Sequence, residues 1–205
     1  MARHSKHRME KPRVAVVGDG QTEQIYFAEV KDTDRPTDID LFPSLPSKKG
    51  SYKSVLQKAM ELAPDYTKVF ALVDLDTVIS DGLETEYAAA KKAAEEEGVI
   101  VLENNPCFEI WPRLHFGLTT RSFTRCDEVC AELKKPDRLA GYEKSRKFLV
   151  QARLYARYKD RITTHAIPAA KQLEKDRPVD NRRYPRAGIH TFFEWYLGPN
   201  RAEKL

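Results

Sequence analysis

The feature that most constrains the fold is a short apolar run, Val69–Val73, which is followed directly by Asp74-Leu75-Asp76. The run is apolar throughout and rich in β-branched and aromatic residues, which is typical of a strand buried on both faces. Such strands belong to parallel sheets covered by helices, and open α/β folds bind ligands beyond the carboxyl ends of their strands. The sequence therefore predicts a parallel sheet with two acids at its ligand-binding edge.

Asp74 and Asp76 are two residues apart, and residues at that spacing on a strand face the same way. Two carboxylates so placed repel each other unless a proton or a cation lies between them. Mg²⁺ favours one or two carboxylates together with waters and substrate phosphates. The pair therefore indicates a site for Mg²⁺ or Mn²⁺, whereas either acid alone is more typical of a turn or a helix N-cap.

Strand-like and helix-like segments alternate along the first half of the chain, which predicts an α/β fold with a mostly parallel sheet and helices on both faces. The predicted strands are Val14–Val17, Ile39–Phe42, Val69–Val73 and Val99–Leu102. Three helices are predicted between them: one after a Thr22 N-cap over 23–31, one that starts at Ser51 and ends before Pro64, and one that starts at an Asp81/Glu84 capping box and ends at Gly98.

The second half of the chain has helical character. Apolar residues recur at helical spacing over 144–176, and an aromatic segment follows over 192–197. We therefore expect an α/β domain over 13–120 with a mostly helical extension over 121–205 packed on it. Residues 1–12 are rich in Lys, Arg and His and read as a flexible basic tail.

Composition sets wider bounds on the protein. The 205 residues suffice for one sizeable core, and the net charge of +4 is compatible with a DNA or RNA partner. Three cysteines without C-x-x-C spacing argue against a disulfide scaffold or a zinc site. No apolar run is long enough to span a membrane and no secretory signal is present, so a cytoplasmic protein is expected.

Further acids follow the other predicted strands. Asp19 and Glu23 come after the first strand, in Gly18-Asp-Gly-Gln-Thr-Glu23, and Glu109 comes after the fourth. The alternatives are a turn residue for Asp19, a residue favoured by the helix dipole for Glu23 and an exposed helical residue for Glu109. Because parallel strands end at one edge of a sheet, we expect these acids to converge with Asp74 and Asp76 on one metal site.

Pro112 leaves two interpretations of the segment around Glu109. A helix that begins at Pro106 would be kinked by Pro112. Alternatively, Pro112 is the first helical residue and 106–111 is a shaped turn that presents Glu109 from a rigid loop.

Several of these runs resemble the RloB-like proteins, which belong to the wider Toprim class with primases, topoisomerases and OLD-type nucleases. The resemblance is carried by Asp19-Gly-Gln-Thr-Glu23, Asp74-Leu-Asp76, Asn105-Pro-Cys-Phe-Glu109-Ile-Trp111 through His115-Phe116, Gly141-Tyr-Glu-Lys144 and the helix near Ala166–Ala170. It implies a Toprim-like fold in which Asp74 and Asp76 act with an acid after the first strand on Mg²⁺ and phosphate. Asp19 stands where Toprim proteins usually have Glu, and Glu23 matches a second metal-binding acid of OLD-type nucleases.

The resemblance implies a Mg²⁺-dependent nuclease of a phage-defence, abortive-infection type of system with an ABC-type ATPase partner. Metal ligands would be Asp19, Glu23, Asp74, Asp76 and Glu109, and Lys144 would place positive charge on the transition state. Apart from the resemblance, the residues of the helical extension predict a basic face that either holds a nucleic-acid backbone or is an ordinary solvated helix face. Its residues are Arg146, Lys147, Arg153, Arg157, Lys159 and Arg161.

Two other functions are compatible with the sequence. One is a regulatory or nucleic-acid-binding subunit that keeps the Toprim shape without catalysis, for which Asp19 in place of Glu is the indication. The other is an enzyme acting on small phosphate compounds or nucleotide sugars through Asp74-Leu75-Asp76. A haloacid-dehalogenase-like phosphatase is disfavoured because its Asp-x-Asp follows the first strand.

Overall fold

A computed structural model describes residues 11–48, 50–199 and 201. Its centre is a sheet in the order β2-β1-β3-β4-β5, in which the first four strands are parallel and β5 is antiparallel to β4. The strands are β1 (Arg13–Val17), β2 (Asp40–Ser44), β3 (Lys68–Asp74), β4 (Val99–Asn105) and β5 (Arg186–Ala187). The predicted mostly parallel α/β fold is confirmed. Strand β5 was not predicted, because it is only two residues long and has no sequence pattern of its own.

The helices lie between the strands and throughout the extension. They are α1 (Gln21–Asp34), α2 (Tyr52–Leu62), α3 (Asp76–Ser80), α4 (Glu84–Glu96), α5 (Ile110–Leu114), α6 (Cys126–Leu133), α7 (Arg146–Ala152), α8 (Leu154–Tyr158), α9 (Ile167–Lys175) and α10 (His190–Tyr196). A short 3₁₀ turn, Ala63–Asp65, follows α2, and a π turn, Ile162–Ala166, precedes α9. The helical character predicted for the extension is therefore confirmed, as several short helices.

Alternation along the strands separates the core into two layers. Phe70 and Leu72 of β3 pack with α1 and the extension, whereas Val69, Ala71 and Val73 pack with α2 and α4. Helices therefore cover both faces, as predicted. By the same alternation, residues 74 and 104 face the α1 side at the carboxyl edge, whereas 103 and 105 face the α4 side.

Two predicted helix starts are wrong. Gly20 is the N-cap of α1, and Thr22 lies within its first turn. Asp81 does not cap α4, because Leu83 is the N-cap and no side chain bonds to the helix start there. Ser51 does cap α2, and its hydroxyl accepts a hydrogen bond from the Lys53 amide at 3.3 Å. The spacing rules identify polar residues near a helix start, but the turn geometry decides which residue is the cap.

The extension shares its core with the sheet. Phe192 and Phe193 of α10 are fully buried and pack against Phe27 of α1. The boundary predicted at residue 120 stays a prediction, because one apolar cluster contains residues from both sides of it. Residues 1–10 of the predicted basic tail lie outside the described residues.

Part of the predicted basic face of the extension is used within the fold. Arg153 has a left-handed backbone conformation, with φ 46°, and separates α7 from α8. Its side chain approaches Glu29 of α1, and Lys159 pairs with Asp34 at 2.6 Å. In the part of the chain that the structure describes, no helix is long and apolar enough to cross a bilayer.

Candidate functional site

Glu23 lies in the first turn of α1 and is buried. Two glycines before it make room for its side chain. A Cβ at Gly18 would lie 2.5 Å from the Glu23 Cβ, and one at Gly20 would lie 3.2 Å from Glu23 Oε2. The Gly18-Asp19-Gly20 turn therefore lets the chain fold closely over the Glu23 carboxylate.

Asp74 ends β3, and Asp76 begins α3. The peptide between them is fixed to the turn after β4. The Leu75 amide donates to the carbonyls of Asn104 at 2.9 Å and Pro106 at 3.0 Å, and the Asp76 amide donates to Pro106 at 3.0 Å. The two acid-bearing turns are thus held together by their backbones.

Glu109 is presented from the turn that follows β4. Pro106 has a cis peptide bond, and α5 begins at Ile110, directly after Glu109. The shaped-turn interpretation is therefore closer to the structure, although the helix begins two residues before Pro112. Pro112 is tolerated there because amides in the first turn of a helix have no intrahelical partner.

The Glu109 side chain is 1% exposed and has polar partners from the extension. Its Oε1 accepts a hydrogen bond from the Tyr142 hydroxyl at 3.1 Å and lies 2.9 Å from Lys144 Nζ. Burial lowers the pKa of Lys144, but the Glu109 carboxylate outweighs this effect and the net pKa is above its ordinary value. Lys144 is therefore an ammonium fixed at the site.

Glu23, Asp74 and Glu109 act on one another electrostatically. Burial raises the pKa of Glu23 to about 7, and the charge of Glu109 is the next cause. Burial also holds the pKa of Asp74 well above its usual range, with further increases from Glu23 and Glu109. Carboxylates raise one another's pKa in this way when they lie close together in a poorly solvated region. The structure thus brings together predicted acids from three separate turns.

Asp19 and Asp76 have additional local roles. Asp19 Oδ1 accepts hydrogen bonds from the amides of Gly50 at 2.8 Å and Ser51 at 3.1 Å, which ties the β1 turn to the start of α2. Asp76 Oδ1 accepts from the Thr77 amide at 2.7 Å. Asp76 still raises the pKa of Asp74. The metal-binding roles of both residues stay predictions.

A disulfide joins Cys107 to Cys126 beside Glu109, with Cα atoms 5.5 Å apart. The expectation against a disulfide scaffold did not foresee this single bond, because the two cysteines are nineteen residues apart without a recognisable spacing and only the fold brings them together. Cys126 Sγ lies 3.0 Å from Glu109 Oε2 and 3.2 Å from Lys144 Nζ. The sulfurs and Glu109 have ligand atoms within 4.8 Å of one another, but a disulfide offers no thiolate to a metal.

Sequence reasoning missed two polar residues of the site. Asn104 pairs in register with Asp74 and is 0% exposed, yet neither polar atom of its amide has a hydrogen-bond partner among the described residues. Alternation along β4 would have placed Asn104 beside Asp74. Tyr142, which bonds Glu109, comes from the extension, and no sequence pattern links the two.

The site has the composition that a hard divalent cation requires. Asp74 Oδ1 is buried and has no hydrogen-bond partner among the described residues. With Glu23 and Glu109 nearby, three buried or part-buried carboxylates face one ammonium, Lys144, so the ionised site has an excess of negative charge. Carboxylate and amide oxygens are ligands that Mg²⁺ and Mn²⁺ favour, so these residues fit such an ion.

Comparison with known proteins agrees with the family resemblance. Searches of curated proteins and of solved structures found no similar chain. A sequence model of the family described as RloB-like protein matches residues 14–194, which include the sheet, the acid-bearing turns and nearly all of the extension. The chain therefore belongs to the RloB-like protein family.

Proposed function

We propose that this protein is a metal-dependent nuclease that hydrolyses phosphodiester bonds at the edge formed by Glu23, Asp74 and Glu109. The observation that carries the proposal is Asp74 Oδ1, which is buried and has no hydrogen-bond partner among the described residues. Burial, and then the charges of Glu23 and Glu109, raise the pKa of Asp74, and the Lys144 ammonium lies 2.9 Å from Glu109. Such a buried carboxylate is costly to hold in a fold without a cation. Perturbed acids gathered at a sheet edge are typical of functional sites.

Each residue has a distinct part in the proposal. Asp74 and Glu23 would hold Mg²⁺ or Mn²⁺, with Asp76, Asp19 and the Asn104 amide oxygen as further ligands. A bound ion of this kind neutralises a phosphate and lowers the pKa of a water. Lys144 would place its ammonium against a phosphate oxygen. Glu109 would orient Lys144 through the 2.9 Å contact, and also serve as a ligand or position the attacking water.

The wider setting comes from the family resemblance and belongs to the same proposal. We infer a Toprim-like arrangement of the acids, a role in phage defence and an ABC-type ATPase as partner. The mostly parallel sheet with acids after its first, third and fourth strands in chain order supports the Toprim relation. A cytoplasmic location goes with a DNA or RNA substrate.

A nuclease assay combined with calorimetry tests the proposal. Single-stranded DNA, double-stranded DNA and RNA are incubated with Mg²⁺, Mn²⁺ or EDTA, with and without an ABC-type ATPase as the proposed partner. We expect cleavage that requires metal, and we expect Asp74→Asn to lose it together with at least a tenfold loss of Mn²⁺ affinity, about 1.4 kcal/mol. Asp180→Asn, a change at an exposed acid, is the control. Mn²⁺ binding unchanged in Asp74→Asn would refute the metal site.

One observation favours a second function, a regulatory subunit without catalysis. By the family resemblance, Asp19 stands where Toprim proteins usually have Glu, and its Oδ1 accepts hydrogen bonds from the amides of Gly50 and Ser51. Asp19→Glu in the same assay distinguishes the two functions. A higher cleavage rate would indicate that the shorter acid limits catalysis. Inertness of the wild type and of Asp19→Glu on every substrate, with the ATPase present, would favour the regulatory subunit.

A further inference from the structure

A cavity of about 360 Å³ opens at the same carboxyl edge of the sheet, on the α4 side. Its floor includes three apolar side chains, Leu75, Val78 and Tyr184, which are largely buried, with 8%, 1% and 7% exposure. Its rim has three arginines: Arg177, Arg182 and Arg186. An apolar interior with a cationic rim is suited to a ligand that has both a flat apolar part and an anionic part.

Positive charge is in excess around this cavity. Glu103 bonds Arg186 and also accepts from Lys91 at 3.0 Å, and Glu84 pairs with Arg182 at 2.8 Å. Arg177 has no carboxylate within salt-bridge distance among the described residues. The three arginines of the lining therefore exceed its two carboxylates by one charge, and the rim would attract a phosphate.

The cavity and the acid site share the same two turns. Leu75, which lies between Asp74 and Asp76, lines the cavity, as does Asn105, which follows Asn104. The side-chain amide of Asn105, through Nδ2, donates hydrogen bonds to the backbone carbonyls of Arg182 and Tyr184, both at 2.8 Å. These bonds fix the segment that carries the rim arginine Arg182. Since alternate residues face opposite sides of the sheet, the acids and the cavity lie on opposite sides of the same edge. A nucleic-acid strand that crosses this edge would therefore pass from the acids to the cavity.

We propose that the cavity binds an unpaired nucleotide of a nucleic-acid strand, with its base among Leu75, Val78 and Tyr184 and its phosphate on the arginine rim. The substrate of the acid site is accordingly single-stranded, an inference that rests on the proposed nuclease function. A base within a duplex is stacked and paired, and it reaches a pocket only after it leaves the stack. A strand with unpaired bases avoids that cost.

Fluorescence anisotropy in EDTA measures binding without cleavage. The probes are a labelled single-stranded oligonucleotide and the same sequence as a duplex. We expect the wild type to bind the single strand more tightly, and the double variant Arg177→Ala/Arg182→Ala to lose about tenfold or more in affinity for it. Glu84→Gln should bind more tightly than the wild type, because it releases Arg182. The control is Arg183→Ala, which removes an exposed arginine of the same segment that does not line the cavity.

Several results would overturn the proposal. These are equal affinity for the duplex, equal affinity of the double variant and the Arg183→Ala control, or a free nucleoside monophosphate that binds as tightly as the strand. Parallel assays in Mg²⁺ separate this proposal from the nuclease proposal. If binding depends on the arginines but no cleavage occurs, the cavity proposal is retained and the nuclease proposal is refuted. If the double variant and the wild type cleave equally, the nuclease proposal is retained and the cavity proposal is refuted.

Discussion

At the scale of single residues, Glu23 has the most informative environment. It occupies the first turn of a helix, where a negative charge is normally favourable, yet burial and Glu109 raise its pKa to about 7. The Gly18-Asp19-Gly20 turn packs closely against the Glu23 side chain and thereby shields its carboxylate from solvent. An acid poised near neutral pH either exchanges protons there or gives up its proton to a metal.

This pKa predicts a specific pH dependence of stability. In the metal-free protein, folded Glu23 keeps its proton up to about pH 7, whereas in the unfolded chain its pKa is the ordinary value of 4.5. Between these values the folded state binds more protons at Glu23, so the contribution of Glu23 to the free energy of unfolding should fall as pH rises through this window and level off above it. The contribution of Glu23 is on the order of 3 kcal/mol.

Urea unfolding in EDTA between pH 4 and pH 8 measures this effect. Glu23→Gln should remove the part of the decrease that Glu23 contributes and leave the part from Asp74, so the variant should gain on the wild type as pH rises. Glu97→Gln, at an exposed residue, is the control and should follow the wild type. Parallel pH curves for Glu23→Gln and wild type would contradict the raised pKa.

The predictability of these residues from sequence follows from where their neighbours lie in the chain. Asp74 and Glu109 follow strands, and the rule that parallel strands end at one edge is enough to bring them together. Asn104 also lies at the carboxyl end of a parallel strand, but it was not predicted as a site residue because it is uncharged. Tyr142 and the Cys107–Cys126 pair depend on how the extension folds back, and no local pattern encodes that path.

At the scale of elements, the turn after β4 connects the sheet to the extension. The Pro106 carbonyl accepts hydrogen bonds from two amides of the turn after β3, and Cys107 forms a disulfide with the first residue of α6. Glu109 lies between these attachments and directly precedes α5. Strands β1, β3 and β4 follow from their apolar runs, but the short helix α3 and strand β5 do not, because each is stabilised by tertiary contacts rather than by a periodic pattern of its own.

The disulfide should contribute measurable stability to this region. Closing a loop of this length restricts the unfolded chain and is worth about 3 kcal/mol. We expect the oxidised protein to unfold at a higher urea concentration than the protein treated with dithiothreitol. Cys107→Ser should match the reduced wild type under both conditions, whereas Cys130→Ser, which changes the free cysteine, should still respond to reduction. Three titratable thiols in the air-oxidised native protein would contradict the disulfide.

At the scale of the whole molecule, α10 joins the extension to the sheet. Phe192 is fully buried, and its ring centroid lies 5.0 Å from that of Phe27 in α1 and 5.2 Å from that of Phe70 in β3. Phe193 stacks on Trp111 of α5, with centroids 5.1 Å apart. The aromatic character of this segment was evident in the sequence, but its partners were not. Because α5 directly follows Glu109, the packing of α10 also supports the acid site.

This shared core predicts that the α/β part and the extension unfold together. Phe192→Ala removes a ring from a fully buried position and should cost about 3–5 kcal/mol, because the cavity it leaves lies between elements of both parts. Far-ultraviolet circular dichroism and tryptophan fluorescence should report one coincident urea transition for the wild type and one, at lower urea, for the variant. Leu197→Ala, a change at a part-exposed residue just after α10, should have a much smaller effect. Two separate transitions, with only one shifted by Phe192→Ala, would instead show that residues 121–205 fold independently and that Tyr142 and Lys144 reach Glu109 by docking of a separate domain.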